Sequence, residues 1–147
     1  MKSLLAAIKL ELQNAATLSF VRDSDIFITE HENFLLPSIR FPAIAIKDGP
    51  IVYKVATKSQ ENDTLLVKII MYVQLQKPEA GIMGDAATSA KGVLEVAALV
   101  RDLLKSNRLS GLVDSAWPES ETESEILALD EVEAVQMKII TMRYERY

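Results

Sequence analysis

A chain of 147 residues fits one domain with one core, which at this size withdraws about 68–70% of the unfolded surface from water. Hydrophobic residues make up 49% and charged residues 25%, a balance that argues against global disorder, and the absence of cysteine excludes a disulfide framework, thiolate metal sites and cysteine nucleophiles. Net charge is −5, yet seven of the 21 acids fall between Glu119 and Glu133 with no base among them, so the remainder is mildly basic and offers no clustered run of the kind that grips nucleic acid.

At the amino terminus Lys2 precedes an apolar patch, but Lys9 and Glu11 interrupt it well short of a signal segment. No apolar run reaches the roughly 18 residues needed to span a bilayer. The expectation is a cytoplasmic protein without membrane insertion. Leu4, Leu5, Ile8 and Leu12 recur at helical spacing and predict an amphipathic helix over 3–15. Asp23 to Thr29 reads as a short strand with Ile26 and Ile28 on one face, then a polar loop Glu30-His31-Glu32-Asn33, with loop or a turn of helix over 34–40. Phe41 to Ile46 is β-like, its Pro42 suiting a strand start or an edge where a missing N–H does no harm.

Asp48-Gly49-Pro50 predicts a turn, Ile51 to Ala56 a further strand, and Thr57 to Asp63 a hairpin loop. From Thr64 to Gln76 the alternation of Leu65, Val67, Ile69, Met71, Val73 and Leu75 against Lys68, Gln74 and Gln76 is the clearest strand signal, and its apolar face requires a cover. A second helix is predicted over about 85–107, striped by Ala86, Ala90, Val93, Leu94, Ala97, Val100 and Leu104, with Asp85 as N-cap, Gly92 inside it and Gly111 ending the region. Trp117-Pro118 opens the acidic segment, which reads as a loop or long hairpin arm, and a closing strand starts near Val132 and runs through Met137 to Tyr147. Helices segregated against an antiparallel or mixed sheet make an α+β domain over 1–147.

Residue chemistry is sparse. His31 lies between two glutamates, but neighbours on extended chain point to opposite sides, so it cannot use both, and an exposed loop histidine is the simpler reading. The acidic run lacks the Asp-x-Asp-x-Asp-Gly loop of a calcium cage. There is no Gly-x-Ser-x-Gly elbow, and Gly81-Ile82-Met83-Gly84 lacks the further glycines or lysine of a phosphate cradle. No enzyme activity, cofactor or metal is expected. Trp117 serves equally as an interface anchor or as the edge of a core.

The amino-terminal Leu4-Leu5-x-x-Ile8-x-x-x-Leu12 helix, the Phe41-Pro42-Ala43-Ile44 strand, the Thr64 to Gln76 strand, the Val93 to Leu104 helix, Leu109-Ser110-Gly111-Leu112 and a closing strand ending in Met142-Arg143-Tyr144 together resemble the tail terminator, or tail completion, proteins of long-tailed bacteriophages and prophages. The resemblance spans nearly the whole chain and is architectural. It implies a structural virion protein, assembled in the host cytoplasm, that forms a homo-oligomeric ring, as a hexamer, caps the tail tube and offers the head-joining surface. The implied partners are further copies of itself, the tail tube protein and a head–tail connector protein, with DNA passing through the hole unbound. A neck or connector subunit and a small cytoplasmic binding module are the alternatives. Contact candidates are Lys58, Glu61 and Asp63 in the predicted hairpin loop, Trp117, Glu119, Glu121, Glu123 and Glu125 in the acidic segment, and Arg143 and Tyr144 in the closing strand. Neutralising the four glutamates from 119 to 125 together is expected to leave the fold intact.

Overall fold

A computed structural model describes residues 1–32, 38–57, 60–74, 83–84, 91–128 and 134–146. The helical spacing near the start forms α1 (Lys2–Asn14), which buries Leu4, Ile8 and Leu12 one turn apart. Ile8 and Leu12 are wholly withdrawn from water, a gain of about 1.5–3 kcal/mol for each such side chain. Two short 3-10 turns, Ala16–Leu18 and Asp23–Asp25, lead into β1 (Ile26–Ile28). Ile26 is buried in the cluster beneath the helices and Phe27 in the cluster on the opposite face, but Ile28 is 45% exposed.

Asp25 is buried and anchors the entry to this strand. Its carboxylate accepts Arg22 Nε at 2.7 Å, Arg22 Nη2 at 3.1 Å and the Arg40 backbone N–H at 3.1 Å. The Arg22 hydrogen bond, helped by the Arg40 N–H and opposed by burial, holds the Asp25 carboxyl below its usual range. A depressed carboxylate stabilises the fold fully above its unfolded pKa of about 3.9 and loses that contribution as pH falls through the lower folded value. Asp25→Asn is therefore expected to be less stable than the parent at pH 7, with the gap closing below about pH 4 in denaturant titrations across pH.

β2 (Ala43–Thr57) begins just after Pro42, so the proline sits where a strand start tolerates it. The Asp48-Gly49-Pro50 stretch does not turn. The strand continues through it with a register shift between Asp48 and Ile51, a bulge that absorbs the missing proline donor. Pairing with β3 (Gln60–Gln74) resumes at Ile51↔Leu65 and extends to Thr57↔Gln60, so most of the predicted loop is paired strand. The reason is that cross-strand pairing carries a polar sequence once the register is set. Lys58, Leu75 and Gln76 lie outside the described residues.

α2 (Val93–Leu104) is shorter than the apolar stripe suggests. Gly92 is its N-cap rather than an interior residue, its carbonyl accepting the Val96 N–H at 3.1 Å. Asp85, Ala86 and Ala90 lie outside the described residues. Val93, Val96, Ala97, Val100 and Leu104 are buried, whereas Leu94 is 43% exposed. After the helix, Leu109, Ser110 and Gly111 have φ of 52°, 59° and 89°. Left-handed backbone costs about 1–2 kcal/mol for a residue with a Cβ, and buried Leu109 together with the bond from its N–H to Asn107 Oδ1 at 2.9 Å holds the turn.

The acidic segment forms β4 (Ser115–Glu121) and β5 (Glu125–Ala128), and both pair with β6 (Ala134–Arg146). It is a hairpin arm interrupted between Glu121 and Glu125. Residues 129–133, and with them Val132, and Tyr147 lie outside the described residues. The sheet order is β1-β2-β3-β6-β4, with β5 also on β6. β1 runs parallel to β2 and the other neighbours are antiparallel, so the domain is α+β with a mixed sheet.

Both helices pack on one sheet face, with Leu65, Val67, Ile69, Met71, Val73, Ile140, Met142 and Tyr144. The alternation in β3 thus marks the covered face as expected. Its other face is not simply polar, since Ile70 and Tyr72 join Phe27, Ala43, Ala45, Val135, Met137 and Ile139 in a second cluster.

Candidate assembly surface

The arm β4–β5 forms one margin of the sheet, and the charge run acquires its geometry there. In β4 Trp117 pairs across to Arg143, whose guanidinium lies 5.7 Å from the indole centroid. Trp117 keeps 40% of its surface exposed. Arg143 is held on its other side by Glu145 at 3.0 Å and more loosely by Glu119 at 3.9 Å. Cation and ring attract each other at this distance.

The four glutamates divide by environment. Glu121 receives Arg101 Nη1 from α2 at 2.6 Å and Lys138 Nζ from β6 at 3.2 Å, tying the helix to the margin of the sheet. The Lys138 side chain is 10% exposed, and its ammonium also donates to the Thr122 carbonyl. Glu121, though exposed, thus serves as counter-ion to two cations of its own chain. Glu119, Glu123 and Glu125 are exposed as well, Glu119 with 40% of its side chain open against 26% for Glu121.

The expectation for Tyr144 is corrected. It is wholly buried under the helices, and burial pushes its hydroxyl pKa up. Period-2 alternation places it beside Met142 on the covered face, a signal already present in the sequence. Asp63 faces its own chain, pairing with Arg146 at 3.4 Å across β3 and β6. The backbone of Glu61 lies in β3, paired with Val55.

On the opposite margin β1 covers only Ile44–Ile46 of β2. Farther along β2, Val52 is 43% and Tyr53 70% exposed, with Lys54 exposed beside them. Sequence reasoning passed over this group; the signal was an aromatic and a base in a strand whose expected turn at 48–50 does not form.

His31 is exposed, and its carbonyl accepts the Thr29 hydroxyl at 2.9 Å. Glu32 turns away to Lys68 at 2.6 Å, and its carbonyl accepts the Tyr72 hydroxyl. Ile28, Thr29, Glu30 and His31 line a cavity of about 360 Å³, and a smaller one of about 210 Å³ lies beside Trp117, Arg108 and Ser115. No group of three or more His, Asp or Glu side chains able to hold a metal occurs among the described residues. Gly81 and Ile82 lie outside those residues, and Met83 is exposed. No helix among them is long and apolar enough to cross a membrane.

No protein-family model matches the chain, and no curated protein matches it in sequence. In structure it is similar to a chain of the solved "Virion of native gene transfer agent (GTA) particle", with a TM-score of 0.57 at 15% identity, over 98% of this chain and 95% of that one. The two share a fold.

Proposed function

We propose that this protein is a structural virion subunit that closes the tail tube as a terminator, forming a ring of its own copies and presenting the surface that meets the head connector. The observation that carries the reading is the end-to-end structural likeness to a chain of a virion particle, which covers nearly all of both proteins. Two further features support it. The sheet margin bears exposed carboxylates, which would repel DNA phosphate passing a ring that displayed them inward. The opposite margin leaves most of β2 without a neighbouring strand among the described residues. The work of such a protein is geometric, since one face matches the last tube ring while the other must not copy the tube's polymerising surface. The reading assigns it no catalysis and no cofactor.

Light scattering over a concentration series, with and without purified tail tube, tests this. A closed ring of about six copies, formed alone or only at tube ends, is expected for a cyclic heterologous assembly. A strict monomer indifferent to tube would overturn the reading in favour of a binding module. A ring that binds the connector but not the tube would make the protein a neck subunit instead.

A further inference from the structure

We propose that the ring, whose existence rests on the reading above, closes through side chains of the two sheet margins. The β2 margin of one copy would lie against the β4 margin of the next, with Lys47 facing Glu119 and the exposed Pro50 of the β2 bulge facing Trp117.

The first argument is strand direction. β2 is antiparallel to β3, β3 to β6 and β6 to β4, which makes β4 antiparallel to β2. A second copy set beside the first in the same orientation therefore continues the alternation, as a cyclic assembly requires. The second is level. The cross-strand row Lys47↔Lys68↔Thr141↔Ser120 places Lys47 at the height of the bulged residue Glu119, next to Ser120. The row Trp117↔Arg143↔Leu66 meets β2 at the bulge between Asp48 and Ile51 and so places Trp117 at the height of Gly49 and Pro50, with Val52 two rungs farther along at the height of Ser115. Base meets acid and the proline ring meets the indole without sliding either margin.

The third argument separates this contact from a continuous intermolecular sheet. β2 carries Pro50 and a bulge between Asp48 and Ile51, and β4 carries Pro118 and a bulge between Pro118 and Ser120. Prolines and bulges on edge strands block backbone pairing with another chain. Both margins are blunted in this way, yet both expose large apolar residues that a solvent-facing edge does not need. Side-chain packing is the mode of contact left open, and it forms a heterologous joint that repeats until the ring closes. Within its own chain Lys47 has a 4.0 Å ion pair with the exposed Asp48, longer than the 2.6 Å pair of the opposite Lys68 with Glu32, so an acid from the next copy has a weakly compensated charge to meet.

The test compares Lys47→Glu, Glu119→Lys and the combined Lys47→Glu/Glu119→Lys by light scattering, with thermal melts to verify folding. Each single reversal is expected to raise the concentration of half-assembly about tenfold, and the double exchange to restore it to within about threefold of the parent, as complementary charges at an interface behave. Singles that assemble like the parent, or a double as defective as the singles, would overturn the joint while leaving the ring standing. A parent protein that never forms a ring would overturn both. An independent readout needs no substitution. Trp117 is the only tryptophan and is 40% exposed, so its emission should shift to shorter wavelength as the ring forms. Emission unchanged by assembly would overturn the proposed contact.

Discussion

Alanine at Gly49 is expected to cost about 3 kcal/mol, a fall in melting temperature of about 6–12 °C. A Cβ built there meets the Leu66 carbonyl oxygen at 2.6 Å and the Leu66 carbonyl carbon at 3.0 Å. The obstruction is backbone of the neighbouring strand, so no side-chain rotation relieves it. Either β2 and β3 separate at this point or the bulge moves, and a moved bulge changes the register that brings Val52 level with Thr64. Asp48→Ala is the control, since that side chain is 62% exposed and its ion pair among the described residues, to Lys47, is 4.0 Å long. It should melt within about 1 °C of the parent, as surface substitutions do. Equal melting of Gly49→Ala and Asp48→Ala would show that β2 and β3 are less closely apposed than described.

Glu121→Gln is expected to lose about 1–2 kcal/mol, a figure reduced from that of a fully buried pair because the glutamate is partly open to solvent. The loss arises chiefly at Lys138, whose side chain is nearly buried and whose ammonium would keep the Thr122 carbonyl and a neutral amide oxygen in place of the carboxylate. Arg101, with 37% of its side chain exposed, can turn to water. The triple replacement of Glu119, Glu123 and Glu125 by glutamine should change stability by less than about 0.5 kcal/mol while altering assembly. Urea titrations of the two variants decide the matter, and a triple variant as damaged as Glu121→Gln would remove the distinction between counter-ion and surface.

The strands and helices with a single strong period were legible in the residues. Leu4, Ile8 and Leu12, and the alternation from Leu65 to Val73, point inward as their spacing demands. What escaped was governed by pairing across the sheet. Asp48-Gly49-Pro50 has turn composition, yet β3 holds it as a bulge because registered strand lies on both sides of it. Gly92 looked like an interior defect because Ala86 and Ala90 extended the stripe past it, although its own backbone caps the helix. In the candidate surface Trp117 and the exposed acids were visible as residue types. The separate duty of Glu121 was not, since its partners Arg101 and Lys138 lie 20 and 17 positions away in sequence and meet it only after folding. Tyr144 was legible and misassigned, for its place beside Met142 already marked the inner face.

The position of β6 between β3 and β4 bears on how the molecule comes together in time. Two stretches can zip locally, β2 with β3 and the β4–β5 arm with β6, because each joins neighbours along the chain. Their seam is the β3–β6 ladder, where Asp63 meets Arg146 across 83 positions. Loop-closure entropy falls on that seam, and nonlocal pairing of this kind slows folding. Until it forms, the future middle of the sheet consists of two raw edges with free N–H and C=O groups, lacking the prolines and bulges that guard the finished margins. The half-made protein is therefore stickier than the complete one, and the interval before the seam closes is when newly made copies are most prone to join wrongly.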